Sequence, residues 1–270
     1  MERPALVASD VDGTLLGSLE EVTERTVAAV GRVVAADVPF VLVTGRPPRW
    51  VPKVAEAAGL DGYAVCANGA VLHDLGADRV VWQRALDPAL LNNIAGSLDE
   101  ALPGCAFAVE RVGESAFDDR IPQFLAETGY RHPWPEGPHM DVTRAEVLGH
   151  PATKLLVRHH AMTSDEMARV ALDVLDGAVD VTFSSSAGLV EISAQGVTKA
   201  TGLADVAERL GVTSAEIVAF GDMPNDVPML SWVGHGVAMA NAHPAALEVA
   251  DEVTAPNSED GVALVLERWF

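Results

Sequence analysis

The sequence predicts an α/β protein built on a doubly wound parallel sheet, with an α+β segment inserted into it. Three observations carry this. The N-terminal third alternates short apolar runs with amphipathic stretches, the last third returns to that style, and the middle carries more charge, more proline and several isolated strand signals. Strand–helix–strand repeats of this kind give parallel sheets covered by helices on both faces.

The elements follow in order. Ala5–Ser9 reads as a buried strand. Thr23 stands where a helix N-cap is expected, ahead of a face carrying Val27, Val30 and Val34. Val38–Val43 is a second buried strand, ended by Thr44-Gly45-Arg46. Pro47 and Pro48 suit the first turn of a helix running to about Ala58. Tyr63–Ala67 is a third strand. In the middle, strands are expected at Ala106–Glu110, Lys154–Arg158 and Val179–Phe183, and helices at Pro88–Leu102 and Ser164–Leu175. Arg131–Met140, rich in proline, reads as an exposed loop. Its Arg131, His132 and Trp134, with Glu110 and Arg111, are candidates for touching substrate. Late in the chain, Ile217–Phe220 and Gly236–Met239 read as strands. Thr198–Leu210, Pro244–Ala250 and Glu259–Trp269 read as helices. The expected division is a core of residues 1–81 and 188–270, with residues 82–187 inserted.

Composition narrows the function. A length of 270 residues suits about two domains. With 49% hydrophobic residues the chain can build a core, which rules out disorder of the whole. The net charge of −21 argues against a nucleic-acid binder or a protein drawn to anionic membranes. It leaves room for a small anionic substrate, because a local site can oppose the global field. Two cysteines, Cys66 and Cys105, cannot form a disulfide framework and read as buried thiols. No apolar run of membrane-spanning length and no signal peptide are visible, so cytoplasm is the expected location. Nothing in the sequence sets the oligomeric state.

The chemistry gathers at strand ends. Asp10-Val11-Asp12-Gly13-Thr14 directly follows the first strand, where open α/β sheets bind ligands. Gly13 permits a turn that aims both carboxylates to one side; an ordinary acidic turn uses the same residues. Gly221-Asp222-Met223-Pro224-Asn225-Asp226 follows another buried strand and reaches the same sheet edge. Carboxylates collected there repel unless a cation joins them. An oxygen-only donor set selects a hard ion such as Mg²⁺. Asn225 and Asp226 also suit a helix cap ahead of Pro228. Lys199, one of only three lysines, sits in a helix's first turn, where it opposes the macrodipole by about 0.3–1 kcal/mol. A cation placed there can neutralise a phosphate. Thr44 and Gly45, leading into a helix N-terminus, make an anion site.

Taken together, Asp-x-Asp-Gly-Thr-Leu-Leu, Thr-Gly-Arg, Lys199 and Gly-Asp-x-x-Asn-Asp resemble the haloacid dehalogenase superfamily, and more narrowly its Cof-type, subclass IIB phosphatases. Glu191-Ile192, Asn68-Gly69-Ala70, Ala238–Ala242 and Asp260-Gly261-Val262 add to the likeness. The resemblance implies a Rossmann-like core with an inserted α/β cap that sets substrate specificity. It implies Asp10 as the nucleophile forming an aspartyl-phosphate and Asp12 as general acid and then base. Thr44, Gly45, Lys199 and Asn225 would hold the phosphoryl group. Asp10, the backbone carbonyl of Asp12 and Asp222 would bind Mg²⁺, with Asn225 and Asp226 completing the site. The implied function is Mg²⁺-dependent hydrolysis of a small phosphorylated metabolite, such as a sugar phosphate, pyridoxal phosphate or FMN. A sugar phosphomutase and a non-catalytic ligand binder are the alternatives. An acid at Asp12 favours phosphatase over dehalogenase chemistry, since a departing halide needs no proton.

Overall fold

The computed structural model describes residues 2–131 and 140–270. Two compact units emerge, one formed by Met1–Trp82 with Thr198–Phe270 and the other by Gln83–Val197. The proline-rich loop residues His132 and Trp134 lie outside the described residues.

In the first unit, the apolar runs LVAS and FVLV form β1 (Leu6–Ser9) and β2 (Phe40–Val43), joined by α1 (Glu24–Ala35). α2 (Pro52–Ala58) leads to β3 (Tyr63–Cys66), then β4 (Val71–Asp74) and β5 (Arg79–Gln83). The second unit contains α3 (Pro88–Ala101), β6 (Ala106–Glu110), β7 (Phe124–Glu127), β8 (Met140–Val142) and α4 (Arg144–Leu148). It continues with β9 (Lys154–Arg158), α5 (Ser164–Leu175), β10 (Val179–Thr182) and β11 (Leu189–Ala194). The chain returns to the first unit with α6 (Lys199–Leu210), β12 (Ile217–Gly221), α7 (Val227–Trp232) and β13 (His235–Met239). It ends with α8 (Pro244–Val249), β14 (Glu252–Thr254) and α9 (Gly261–Leu266).

The first sheet runs β14-β13-β12-β1-β2-β3-β4-β5. From β14 to β3 every pairing is parallel; β4 turns back antiparallel on β3. The chain winds one way from β1 to β3 and the other way from β12 to β14. β1 therefore marks the switch point where such sheets bind ligands, at the C-terminal strand ends. One face of this sheet, with Leu6, Ala8, Val41 and Val43, packs on Leu203 and Val206 of α6 and on Met229 and Leu230 of α7. The second sheet runs β10-β11-β9-β6-β7-β8.

Three expectations need correction. The face of α1 is turned by about one residue: Thr26, Ala29, Val30 and Val33 are buried, and Val34 is 43% exposed. Thr26 tolerates burial because its hydroxyl accepts from that of Thr23, the helix cap, at 3.1 Å. The proline pair makes only a short 3₁₀ turn, Pro48–Trp50, and the helix itself starts at Pro52. Finally, the boundary expected at 187/188 lies at 197/198. Residues Leu189–Ala194 pair antiparallel with β9 and β10, so β11 belongs to the inserted sheet. The hairpin β4–β5 also extends the core sheet where no strand was expected.

Candidate active site

Four neighbouring strands deliver the polar groups. β1 ends at Asp10, whose N–H donates to Phe220 O of β12 at 2.9 Å. β2 ends at Thr44, which is fully buried. β3 leads to Asn68, and β12 to Asp222. Each of these positions follows a buried strand, so the sheet fixes the backbone while the side chains project past its edge.

The centre is a buried ion cluster. Lys199 Nζ donates to Asp10 Oδ1 at 2.5 Å and to Asp226 Oδ1 at 2.6 Å. The lysine is 0% exposed, and Asp10 and Asp226 are 5% and 0% exposed. Thr198 caps α6 by accepting from Thr201 N, which fixes the helix start and so the root of the lysine. Asp226 is held from its other side: Oδ2 accepts from the N–H groups of Asp222 and Met223, both at 3.0 Å. Asp222 accepts from Thr14 Oγ1 at 3.0 Å. Oxygens of Asp10, Asp222 and Asp226 all lie within 4.8 Å of one another.

Charge sets the protonation. Burial alone would lower the Lys199 ammonium, but the Asp10 and Asp226 carboxylates outweigh it and hold its pKa well above the ordinary value. Burial pushes Asp10 up against the pull of Lys199, and Asp226 and Asp222 push it further. Asp222 is pushed up to about 7, by burial first and then by the Asp226 charge. Three buried carboxylates against one ammonium leave an excess of negative charge that a divalent cation would balance. Two further features fit a hard cation. Asn225 Oδ1, in a residue only 5% exposed, has no hydrogen-bond partner among the described residues. At Gly13 (φ 75°) a Cβ would lie 2.3 Å from Asp222 Oδ2, so only glycine lets that carboxylate approach the turn.

The remaining expected residues fall into two groups. Asn225 Nδ2 donates to Asn68 Oδ1 at 3.1 Å, and Asn68 N–H donates to Thr44 O at 3.0 Å. This links Thr44 to the Asn225 turn. Thr44 Oγ1 accepts from Arg46 N at 3.0 Å, which leaves its hydroxyl proton to donate. Gly45 lies in the turn between them. Asp12 stands apart from the buried cluster, with its side chain 54% exposed. Both its oxygens are gripped by Arg46, from Nε at 2.8 Å and Nη2 at 2.5 Å. The crowding of carboxylates falls on Asp10 and Asp222.

Sequence reasoning missed Arg46 as the partner of Asp12, Thr14 as the donor to Asp222, and Asn241, whose Nδ2 holds Gly13 O at 2.9 Å. Thr14 and Arg46 were legible as members of motifs, but the partner of each is set by the fold. Asn68 carried a signal of its own in an Asn-Gly pair, and it adopts φ 57°.

The model of the haloacid dehalogenase-like hydrolases matches residues 7–266. The chain therefore belongs to that family; it is an enzyme, and the resemblance of its motifs to the family's phosphatases stands. It is 29% identical to the Bacillus subtilis 5-amino-6-(5-phospho-D-ribitylamino)uracil phosphatase YitU, over 99% of this chain and 98% of that protein. It is 27% identical to the B. subtilis phosphatase YcsE, of the same named activity, over 98% of this chain and 95% of that one. Among solved structures, the fold matches the subclass IIB sugar phosphatase BT4131 with a TM-score of 0.82, 20% identity and 98% coverage of both chains. A haloacid dehalogenase-like hydrolase from Bacteroides thetaiotaomicron matches with a TM-score of 0.76 at 23% identity, covering both chains completely.

Proposed function

We propose that the protein is a Mg²⁺-dependent phosphatase that releases phosphate from a small phosphorylated metabolite through an aspartyl-phosphate on Asp10. The observation that carries this reading is the buried Lys199 ammonium bridging Asp10 and Asp226 beside Asp222. That arrangement holds a carboxylate nucleophile in place and sets a fixed cation next to the reacting group.

In the first step, an Asp10 oxygen bonds to phosphorus while the bond from phosphorus to the leaving oxygen breaks. Asp12 gives that oxygen its proton. In the second step a water oxygen attacks the same phosphorus, Asp12 takes the water's proton, and the acyl phosphate bond breaks to restore the Asp10 carboxylate. Both proton transfers require the Asp12–Arg46 pairing to open. Thr44, Gly45, Lys199 and Asn225 hold the phosphoryl oxygens. Asp10, Asp222 and the Asp12 carbonyl would hold Mg²⁺, with Asn225 and Asp226 completing its surroundings. The ion supplies charge neutralisation for the phosphoryl group. Asp226, with both oxygens engaged by Lys199 and backbone N–H groups, acts chiefly to fix the lysine.

The inserted unit provides substrate selectivity in this reading. Sugar phosphates and phosphorylated cofactors such as pyridoxal phosphate or FMN are the candidate substrates, and a phosphoribityl compound of the kind named for YitU and YcsE joins them. A cytoplasmic location is part of this reading; Cys66 and Cys105 are both buried, and no described helix is long and apolar enough to cross a membrane.

The test is phosphate release from a panel of phosphorylated metabolites and p-nitrophenyl phosphate. Activity that EDTA abolishes, that Mg²⁺ restores, and that Asp10→Asn removes without loss of fold is the expected result. Full activity in Asp10→Asn would overturn the nucleophile assignment.

A further inference from the structure

The turn that carries Asp12 is held from outside by two asparagines. Asp12 (φ −80°, ψ 123°) and Gly13 (φ 75°, ψ −1°) have the dihedral angles of the central pair of a type II turn. The segment closes on itself through Leu16 N–H, which donates to Val11 O at 2.9 Å. The carbonyls of Gly13 and Leu16 find their partners elsewhere, on side chains from distant strand ends. Asn241 Nδ2 donates to Gly13 O at 2.9 Å, and Asn257 Nδ2 donates to Leu16 O at 2.8 Å. The two asparagines are themselves joined: Asn257 N–H donates to Asn241 Oδ1 at 2.9 Å.

Their places in the fold make this a clamp. Asn241 follows β13 and Asn257 follows β14, which lie two and three strands from β1 in the sheet. Each root is fixed by a short turn: Ala242 N–H donates to Met239 O at 2.9 Å, and Glu259 N–H donates to Pro256 O at 2.9 Å. Asn241 is exposed and Asn257 half-buried, so neither fills the core. What they contribute is direction, because the carboxamide of Asn241 donates to one turn and accepts from another. Within the clamped stretch, Thr14 Oγ1 donates to Asp222 Oδ1 at 3.0 Å. The Asp12 side chain is half-exposed and takes no fixed position from packing. Its reach follows from where the turn sits.

We infer that Asn241 and Asn257 are positioning residues for Asp12, holding its turn where the carboxylate can reach the leaving oxygen. This rests on the phosphatase reading above and deepens it. Proton transfer requires donor and acceptor within hydrogen-bond reach, and a misplacement of about 1 Å can cost about 100-fold in rate. Arg46 grips the Asp12 carboxylate, whereas the asparagines grip the backbone on its C-terminal side. Opening the Asp12–Arg46 pair therefore leaves the turn in place. Neither asparagine meets Asp10 or Lys199 in the hydrogen bonds of the site, so its loss falls on the proton step and spares attack on phosphorus.

The experiment compares two esters in the full-length protein. Phenyl phosphate releases a phenolate that needs a proton, and 2,4-dinitrophenyl phosphate releases one that departs without it. Asn241→Ala removes both bonds of its carboxamide and should lower kcat/KM for phenyl phosphate by about tenfold. Asn257→Ala removes only the bond to Leu16 O and should lower it by about threefold. Both should change kcat/KM for the dinitrophenyl ester by less than about twofold. Hydrogen exchange in peptides spanning Val11–Gly17 should quicken by about tenfold in Asn241→Ala, with β1 and β12 unchanged. A merely structural role lowers both esters in the same proportion. Equal losses, an undiminished rate on phenyl phosphate, or unchanged exchange in the turn would each overturn the inference and leave the phosphatase reading standing. If Asn241→Ala does not fold, Asn257→Ala decides on the same readouts. Should the parent hydrolyse neither ester, exchange decides the clamp: faster exchange supports it and unchanged exchange overturns it. Failure of the parent on the whole metabolite panel removes the phosphatase reading separately.

Discussion

Replacing Lys199 with methionine tests the central cluster most directly. The side chain keeps similar length and apolar bulk, so the main change is loss of the ammonium that meets Asp10 at 2.5 Å and Asp226 at 2.6 Å. At an effective dielectric near 20, two unit charges that close attract by about 6–7 kcal/mol. Much of that attraction offsets the desolvation of the lysine, and removing one partner of a buried pair leaves a net loss of about 3–5 kcal/mol. For a chain of this size the melting temperature should fall by about 6–20 °C. The loss has a direction in pH. Asp10 and Asp222 both have folded-state pKa values raised above the ordinary carboxylate range. A raised value means the folded state keeps a proton that the unfolded chain gives up, so the repulsion grows as pH rises toward neutrality. Thermal unfolding in EDTA, followed by circular dichroism, should show a larger deficit for the variant near pH 8 than near pH 5. A variant as stable as the parent near pH 8 would refute the claim that Lys199 offsets the repulsion among these carboxylates.

The remaining predictions concern the metal and the flanking residues. At about 100 times its dissociation constant, Mg²⁺ should stabilise the protein by about 2.7 kcal/mol at alkaline pH. The gain should shrink as pH falls through about 7, where Asp222 regains its proton, as differential scanning fluorimetry with and without EDTA would show; an equal gain at acid and alkaline pH would count against Asp222 as a ligand. Gly13→Ala should abolish the Mg²⁺-dependent shift in melting temperature, because the new Cβ would sit 2.3 Å from Asp222 Oδ2 at a backbone φ of 75°. Arg46→Met should lower phosphate release by about tenfold or more, since nothing would then return Asp12 to one fixed position between its two proton transfers. Its effect on stability should stay within about 1 kcal/mol, because Asp12 is 54% exposed; a large loss of stability with unchanged turnover would reverse that assignment.

Much of the site was legible because its residues follow directly on buried strands. Leu6–Ser9 and Ile217–Gly221 are apolar enough to be read as strands, and whatever follows such a strand lies at the ligand-binding edge. The pairing Lys199–Asp10 could be anticipated because a lysine in a helix's first turn is locally unfavourable and so asks for a partner. The pairing Arg46–Asp12 could not, since it joins residues 34 apart through a turn whose geometry no local pattern encodes. The boundary at 197/198 was hidden for a different reason. LVEISA has the same apolar alternation whether it adds to a parallel or an antiparallel sheet, and only its pairing with β9 and β10 assigns it to the inserted unit. Likewise, Thr26 took the place of a valine on the buried face of α1 because a hydrogen bond from the cap hydroxyl to its own removed the penalty of burying it.

The acidity of the chain, −21 overall, gains a specific meaning at this site. Buried carboxylates repel one another and are costly to desolvate, so a fold that brings Asp10, Asp222 and Asp226 within 4.8 Å must draw in positive charge. Lys199 supplies part of it permanently. In the proposed reading the excess negative charge that remains would recruit a divalent ion, and that ion together with the lysine would reverse the sign of the local field. An anionic phosphoryl group would then be able to approach a protein whose surface would otherwise repel it. Arg46 follows the same logic on the exposed side: it offsets the charge of Asp12, the carboxylate proposed to act as acid and base. The two arms differ in permanence. Lys199 is buried and doubly bound, which suits a fixed electrostatic element, whereas the half-exposed Asp12–Arg46 pair can open at little cost, which suits a group that must hand a proton back and forth.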